Sequence, residues 1–150
     1  MKYVVFILFL FLASCAVKST WRMPNEILLT EINNMHFLRV TLNEKETLLL
    51  IDTGASKSLL DVSQAEEYGF KYTTFKKSQY VGIGGETDIY VIFDYKIKEI
   101  WITFLGADLS GIKGYFDNDG IFIIGILGSD FIKTYNVIID FKTNIMYVNN

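Results

Sequence analysis

An aspartate follows directly on a short apolar run in the first half of the sequence. Residues 48–51 (LLLI) lead into Asp52, and Thr53 and Gly54 come immediately after it. A carboxylate held at the end of a strand can accept and donate a proton, which is the chemistry needed to activate water for hydrolysis. The tripeptide alone favours a plain turn, because Asp and Gly are common turn residues. Its surroundings therefore decide between a turn and a catalytic site.

The segment before Asp52 is predicted to form a β-hairpin. Residues 36–42 (HFLRVTL) and 46–51 (ETLLLI) are rich in strand-forming residues. The polar residues 43–45 (NEK) between them have the length of a hairpin connection. This hairpin would deliver the chain to Asp52 at the end of its second strand.

Two short helices are predicted within the domain. The first covers residues 61–69, because Ser63 and Glu66 have the spacing of a capping box and Gly69 can end a helix. The second begins at Gly128 and runs through Tyr135. The rest of the domain is therefore left to strands and loops.

The fold class predicted for the remaining sequence is mostly all-β and mainly antiparallel, without an internal repeat. Residues 121–127 are too hydrophobic to be anything but buried, and they follow a polar, glycine-bearing stretch over residues 106–120. The strands predicted after the first helix span residues 78–84, 88–95, 98–105, 121–127, 137–141 and 145–148.

Several segments, taken in order, resemble one family. The run over residues 48–56 (LLLIDTGAS), with two leucines at 59–60, resembles the active-site segment of retropepsin-like and pepsin-like aspartic proteases. Residues 81–85 (VGIGG) resemble the flap hairpin of these enzymes, and residues 126–131 (ILGSDF) resemble their late hydrophobic-glycine element. The tail over residues 135–148 resembles the closing strands of bacterial retropepsin-like proteins. The combination is specific, although each motif alone is weak.

The resemblance implies a retropepsin-like closed β-barrel with a flap hairpin, and it also implies a role for each matching residue. Taken by themselves, the flap glycines could form a simple hairpin turn, and the late apolar residues could be core. The resemblance assigns catalysis to Asp52, support of the active-site turn to Thr53, Gly54, Ala55 and Ser56, substrate binding by the flap to Gly82, Ile83, Gly84 and Gly85, and support beneath the turn to Ile126, Leu127 and Gly128.

The family's chemistry requires two carboxylates, and this sequence supplies one. Two carboxylates about 3 Å apart share a proton and activate a water together. No second Asp-Thr-Gly or Asp-Ser-Gly is present, since Asp119 precedes Gly120 directly and Asp130 belongs to the late element. The resemblance therefore implies a homodimer that pairs Asp52 with its symmetry copy. It further implies an endopeptidase that binds an extended peptide in the groove between subunits and needs no cofactor.

The N-terminus has the pattern of a lipoprotein signal. Residues 1–14 contain one early lysine and an apolar run that is shorter than the roughly 20 residues of a membrane span. Small residues precede Cys15, as in a bacterial lipobox, so Cys15 is the predicted lipidation site. The predicted domains are a signal peptide at 1–14, a lipidated tether at 15–26 and a protease domain at 27–150. This places the protein at the cell envelope, lipid-anchored to a bacterial membrane; the alternative is an ordinary secretory signal with an incidental cysteine.

Other functions find little support in the sequence. The chain has 14 basic and 17 acidic residues without a long basic cluster, which argues against nucleic acid as a partner. His36 is the single histidine. A Ser-His-Asp catalytic site therefore has no convincing basis, and a metal site lacks a cluster of ligands. Glu86, Asp117 and Asp119 are interpreted as solvated loop residues. The alternative that stays open is a catalytically inactive domain of this fold that binds peptides or assembles with another envelope protein; a β-shell for a small ligand has no positive feature.

Overall fold

The computed structural model describes residues 25–82, 85–92, 94–97, 100–117 and 120–149. The predicted signal peptide with Cys15, the flap residues Ile83 and Gly84, and Asp119 lie outside these ranges. Within them, no helix is long and apolar enough to cross a membrane.

Short strands make up most of the described chain, which confirms the mainly all-β prediction. The strands are β1 (Asn25–Leu28), β2 (Thr30–Ile32), β3 (Met35–Leu42), β4 (Lys45–Ile51), β5 (Leu59–Asp61), β6 (Tyr72–Gly82), β7 (Gly85–Ile92), β8 (Tyr95–Ile97), β9 (Ile100–Ile102), β10 (Leu105–Ala107), β11 (Ile123–Leu127), β12 (Ile138–Asp140) and β13 (Ile145–Val148). The helices are α1 (Ala65–Tyr68), which follows a 3-10 turn at Val62–Gln64, α2 (Ser110–Asp117) and α3 (Ser129–Thr134).

One large mixed sheet holds the segment around Asp52. Its strand order is β2-β3-β4-β11-β5-β10-β7-β6. The pairs β4–β11 and β5–β10 are parallel, and the other neighbours are antiparallel. Strand β11 lies between β4 and β5, which are consecutive in the chain. The turn that links β4 to β5 must therefore pass over the end of β11.

Two smaller sheets complete the described structure. The order β1-β13-β12 forms one antiparallel sheet, and β8 pairs with β9 in the other. Strand β1 begins at Asn25, so the folded part includes the last two residues that the sequence assigned to the tether. The predicted closing hairpin is present as β12 and β13.

The core explains why β11 carries an unbroken apolar run. All five residues of β11 are buried, because side chains pack on both faces of the sheet at this strand. On one face Ile124 joins the main core with Leu49 and Leu60. On the other face Ile123 and Ile126 pack in two smaller clusters. The prediction that residues 121–127 are buried holds for the strand, although Phe122 just before it is 40% exposed.

Three local predictions differ from the structure. The stretch over residues 98–105 is two separate strands, β9 and β10, because the chain leaves β9 at Thr103 and buries Phe104 completely. Helix α2 lies within the stretch predicted to be a loop. The predicted capping box is wrong: Asp61 rather than Ser63 caps the 3-10 turn, accepting a bond from the Ser63 amide, and α1 has no side-chain cap.

Candidate active site

The turn after β4 is fixed to the end of β11 by backbone hydrogen bonds. The amide of Asp52 donates to the carbonyl of Leu127 at 3.1 Å, which continues the β4–β11 pairing by one residue. At the far side of the turn, the amide of Ser129 donates to the carbonyl of Ala55 at 2.7 Å. Residues 52–55 are thus held from both ends. A side chain on this turn has a fixed position relative to the sheet.

The carboxylate of Asp52 is itself held by the turn. Its Oδ1 accepts a hydrogen bond from the amide of Gly54 at 2.8 Å, and its carbonyl accepts one from the amide of Ala55 at 3.2 Å. A Cβ at position 54 would lie 3.1 Å from this oxygen, which is a tight approach. Asp52 is half-buried, whereas Thr53 and Ser56 are exposed. The carboxylate is therefore oriented and still reaches the surface.

Two glycines allow β11 and the residue after it to lie close to neighbouring backbone, one at the turn and one at β5. A Cβ at Gly128 would lie 2.6 Å from the carbonyl of Lys57 and 2.9 Å from the carbonyl oxygen of Ala55. A Cβ at Gly125 would lie 2.1 Å from the carbonyl oxygen of Leu59. These neighbours are backbone atoms that cannot rotate away. The late element predicted to support the turn, Ile126, Leu127 and Gly128, lies directly under it.

A hydrogen-bonded pair that the sequence did not indicate joins the turn to α3. Ser58 is fully buried, and its hydroxyl donates to Oδ1 of Asp130 at 2.8 Å. The amide of Ser58 donates to the second oxygen of the same carboxylate at 3.1 Å. The amide of Gly128 donates to the Ser58 hydroxyl oxygen at 3.0 Å. The available signal was an aspartate in the first turn of a helix, a favoured position that does not reveal its distant partner.

A buried ion pair lies at the end of β5, and the sequence did not indicate it either. The Asp61 side chain is fully buried, and its Oδ2 lies 3.2 Å from Nζ of Lys113 on α2. The two groups are close enough for an ion pair, but their geometry is not that of a hydrogen bond. The other oxygen accepts from the amides of Ser63 and Leu109. The pair therefore fixes α2 to β5, the strand that follows the Asp52 turn.

The predicted flap region is a β-hairpin. Strands β6 and β7 pair in antiparallel register up to Gly82 and Gly85, with a shift between Thr73 and Ser78. The tip residues Ile83 and Gly84 lie outside the described ranges. On β7, Ile89 is buried in the same apolar cluster to which Ala55 of the turn belongs. The middle of β7 therefore packs beside the Asp52 turn.

Other residues considered from the sequence lie apart from this turn or carry no further chemistry. His36 is in β3, where its Nε2 lies 2.9 Å from Oδ1 of Asn144 and its ring meets Phe141 edge-on. Glu86 and Asp117, which the sequence predicts in loops, lie instead in β7 and at the end of α2. The structure does not describe their side chains. Among the residues that it does describe, no group of His, Cys, Asp and Glu could hold a metal ion.

The chain belongs to the aspartyl protease family, whose model matches residues 38–131. The match runs from β3 into α3 and so includes the Asp52 turn, β11 and the element beneath the turn. The family named from the sequence resemblance is thereby confirmed. No curated protein matches the chain significantly.

Solved structures confirm the retropepsin-like fold. The chain is 17% identical to a retropepsin-like aspartic protease from Rickettsia conorii, with a TM-score of 0.51 over 83% of this chain and 90% of that one. It is 20% identical to the EIAV protease in complex with the inhibitor HBY-793, with a TM-score of 0.50 over 71% of this chain and 93% of that one. At these identities the likeness concerns the fold.

Proposed function

We propose that the protein is an aspartic endopeptidase whose catalytic group is Asp52. The observation that carries the proposal is the Asp52 carboxylate itself, which the Gly54 amide orients at the point where β4, β11 and the turn are locked together. Membership of the aspartyl protease family gives this geometry its chemical meaning. A rigid, half-buried and oriented carboxylate is what general acid–base catalysis needs.

The mechanism uses two Asp52 carboxylates that share one proton. The ionised carboxylate takes a proton from a water molecule, whose oxygen then attacks the scissile carbonyl. The protonated carboxyl gives its proton to the carbonyl oxygen, so a neutral diol intermediate forms. The carboxyl that took the water's proton then gives it to the peptide nitrogen, while the other carboxylate removes a proton from a hydroxyl of the diol. The C–N bond breaks, and the pair again holds one shared proton. The turn keeps the carboxylate in place, so little reorganisation is needed during the reaction.

Since each chain supplies one Asp-Thr-Gly, the active form in this proposal is a homodimer. The outer face of the β1-β13-β12 sheet is the surface we assign to it. Leu28 and Ile138 on this face are 73% and 60% exposed. Ile145, the register partner of Leu28, and Tyr147, the register partner of Ile138, are half-buried. Apolar side chains so placed on an outer sheet face favour burial against a second copy.

The N-terminal pattern supports export and lipid anchoring as part of the proposal. The apolar run before Cys15 and the small residues next to it support a lipoprotein signal, with the domain held at the outer side of a bacterial membrane. Mass spectrometry of the protein extracted from membranes tests this. A mature chain that begins at a diacylated Cys15 supports the anchor, and an unmodified or uncleaved N-terminus refutes it.

The enzymatic proposal is tested with a soluble form that begins at Trp21 and a random peptide library, assayed between pH 4 and 7. Cleavage that is abolished both by Asp52→Asn and by a statine-type inhibitor is the expected result. Asn is nearly isosteric and can still accept the Gly54 amide bond, so the variant tests the carboxylate rather than the fold. A folded dimer that cleaves no peptide would refute the proposed activity.

A further inference from the structure

Helix α2 packs onto an apolar cluster that reaches the catalytic turn. Ile112 of α2 is half-buried and packs against this cluster, which we call the turn-side cluster. Ala55 of the catalytic turn packs against it too, and its members come from β4, β5, β7, β10, β11 and α2. They are Leu50, Ala55, Leu59, Ile89, Leu105, Ala107, Leu109, Ile112 and Ile126.

The turn-side cluster lies on the face of the sheet that carries the Asp52 carboxylate. Side chains alternate along a strand, so Leu50 and Asp52 project from the same face of the chain at the end of β4. The burial pattern agrees, because Ile51 between them packs against the main core on the other face, and Leu49 before them belongs to that core. Leu50 is half-buried and belongs to the edge of the turn-side cluster. Ile112 therefore packs on the face of β4 that leads to the carboxylate.

Part of this cluster remains open to solvent. Leu50, Ala55, Leu105 and Ile112 are half-buried, whereas Leu59 behind them is nearly covered. A peptide side chain that approaches the Asp52 carboxylate meets these half-buried groups first. Half-buried apolar groups beside a carboxylate can bind apolar side chains of a substrate, and a residue that occupies part of this space limits their size.

Two contacts fix Ile112 in this place. Lys113, the next residue, pairs with Asp61, which lies two positions after Leu59 and on the same face of β5. At the start of α2, the amide of Ser110 donates to Oδ1 of Asp108 at 2.9 Å. This backbone bond, with a side-chain bond to Ser110 and the charge of Lys113, holds the pKa of Asp108 below its usual value. The start of the helix thus stays capped at mildly acidic pH.

We propose that Ile112 is a specificity-determining residue, which restricts the pocket beside Asp52 to small apolar substrate side chains. The inference rests on the proposed endopeptidase function and goes beyond it by naming the substrate class. Alanine or valine at one position flanking the scissile bond fits beside Ile112. Leucine or phenylalanine there meets the Ile112 side chain, which the Lys113–Asp61 pair keeps from moving aside.

The test compares Ile112→Ala with wild type on a peptide library that varies the residues flanking the scissile bond. The expected result is a gain of at least about tenfold in kcat/KM for Leu or Phe over Ala at one position, as expected when a few methylene groups of space are opened. The matched control is Ile132→Ala. Ile132 is a half-buried isoleucine on α3 that packs against the main core instead. This control should leave the preference unchanged.

A second measurement separates this inference from the proposed function. Binding of the same peptides to the Asp52→Asn variant, with and without Ile112→Ala, reports the pocket without cleavage. A size preference that Ile112→Ala relaxes in binding supports the pocket even if wild type cleaves nothing. If wild type cleaves peptides and Ile112→Ala shows the same size preference, the proposed role of Ile112 is refuted, whereas the endopeptidase function is supported. Absence of both cleavage and peptide binding overturns both.

Discussion

The chemistry of Asp52 depends on residues that have no functional groups of their own. A Cβ at Gly128 would meet the backbone of the turn, and a Cβ at Gly125 would meet the backbone of β5. Because both side chains are absent, the amide of Asp52 can donate to the end of β11, and the amide of Ser129 on α3 can donate to the carbonyl of Ala55. The position of the Asp52 carboxylate therefore depends on small residues beneath the turn.

Gly128→Ala is expected to destabilise the fold and to impair the site together. The added methyl group would lie 2.6 Å from the Lys57 carbonyl, so the turn or β11 must shift. Overpacking of this kind costs about 1–3 kcal/mol, measurable as a lower free energy of unfolding in urea. The control is Gly111→Ala on α2, where a Cβ meets nothing within 4 Å. It should be neutral or stabilising by up to about 1 kcal/mol. Equal stabilities of the two variants would contradict the close approach.

What the sequence reveals at single residues depends on how local the signal is. Asp52 was found because strand, carboxylate and turn follow one another without a gap. Ser58 and Asp130 are 72 positions apart, and neither residue type indicates which residue it binds. The sequence predicts Asp61 at a helix start and carries no sign of its buried ion pair with Lys113. Pairings of this kind depend on how β5, α2 and α3 pack in three dimensions, which periodicity does not encode.

Among the described helices, α2 is the one that the sequence does not predict. Its eight residues, SGIKGYFD, contain two glycines, which lower helix propensity, and its apolar residues are few. The helix is stabilised by packing of Ile112 and Phe116 on the sheet and by the Lys113–Asp61 pair. The strands were easier to predict, because hydrophobic runs and turn residues mark them locally. The break between β9 and β10 was missed because residues 98–105 alternate as one strand would.

The Lys113–Asp61 pair is expected to hold α2 on the sheet, and Lys113→Met tests it. Removal of the lysine leaves a fully buried carboxylate without its counter-charge, which costs about 3 kcal/mol or more in unfolding free energy. The matched double variant Asp61→Asn with Lys113→Met removes both charges, while Asn keeps an oxygen for the Ser63 and Leu109 amides. It should recover part of the loss in the same urea experiment. A double variant no more stable than Lys113→Met would contradict this role.

For the molecule as a whole, the proposed mechanism needs two carboxylates, and each chain supplies one Asp-Thr-Gly. The described chain has a retropepsin-like fold, as its likeness to the Rickettsia conorii protease indicates. The outer face of the β1-β13-β12 sheet exposes apolar side chains to water. Burial of this apolar area would lower the free energy of the protein. Dimer formation would cover them and complete the site in one step.

Leu28→Glu combined with Ile138→Glu is expected to shift the protein to monomer and to lower cleavage in parallel. Charges placed on a surface that is buried in the dimer disfavour association. Sedimentation velocity over a range of concentrations measures the effect. Trp101→Glu is the control, because Trp101 is 59% exposed on β9 in a different sheet. A dimer that persists in the double variant, or is lost equally in Trp101→Glu, would move the interface elsewhere.

The most direct measurement is peptide cleavage by wild type at a fixed concentration while the Asp52→Asn variant is titrated in. Alone, the variant should lose activity by on the order of a thousandfold or more, as removal of an essential catalytic group does. Added in excess, it should suppress wild-type cleavage, because mixed dimers contain a single carboxylate. Cleavage that continues unchanged in Asp52→Asn, or wild-type activity that its addition does not reduce, would contradict a shared Asp52 pair.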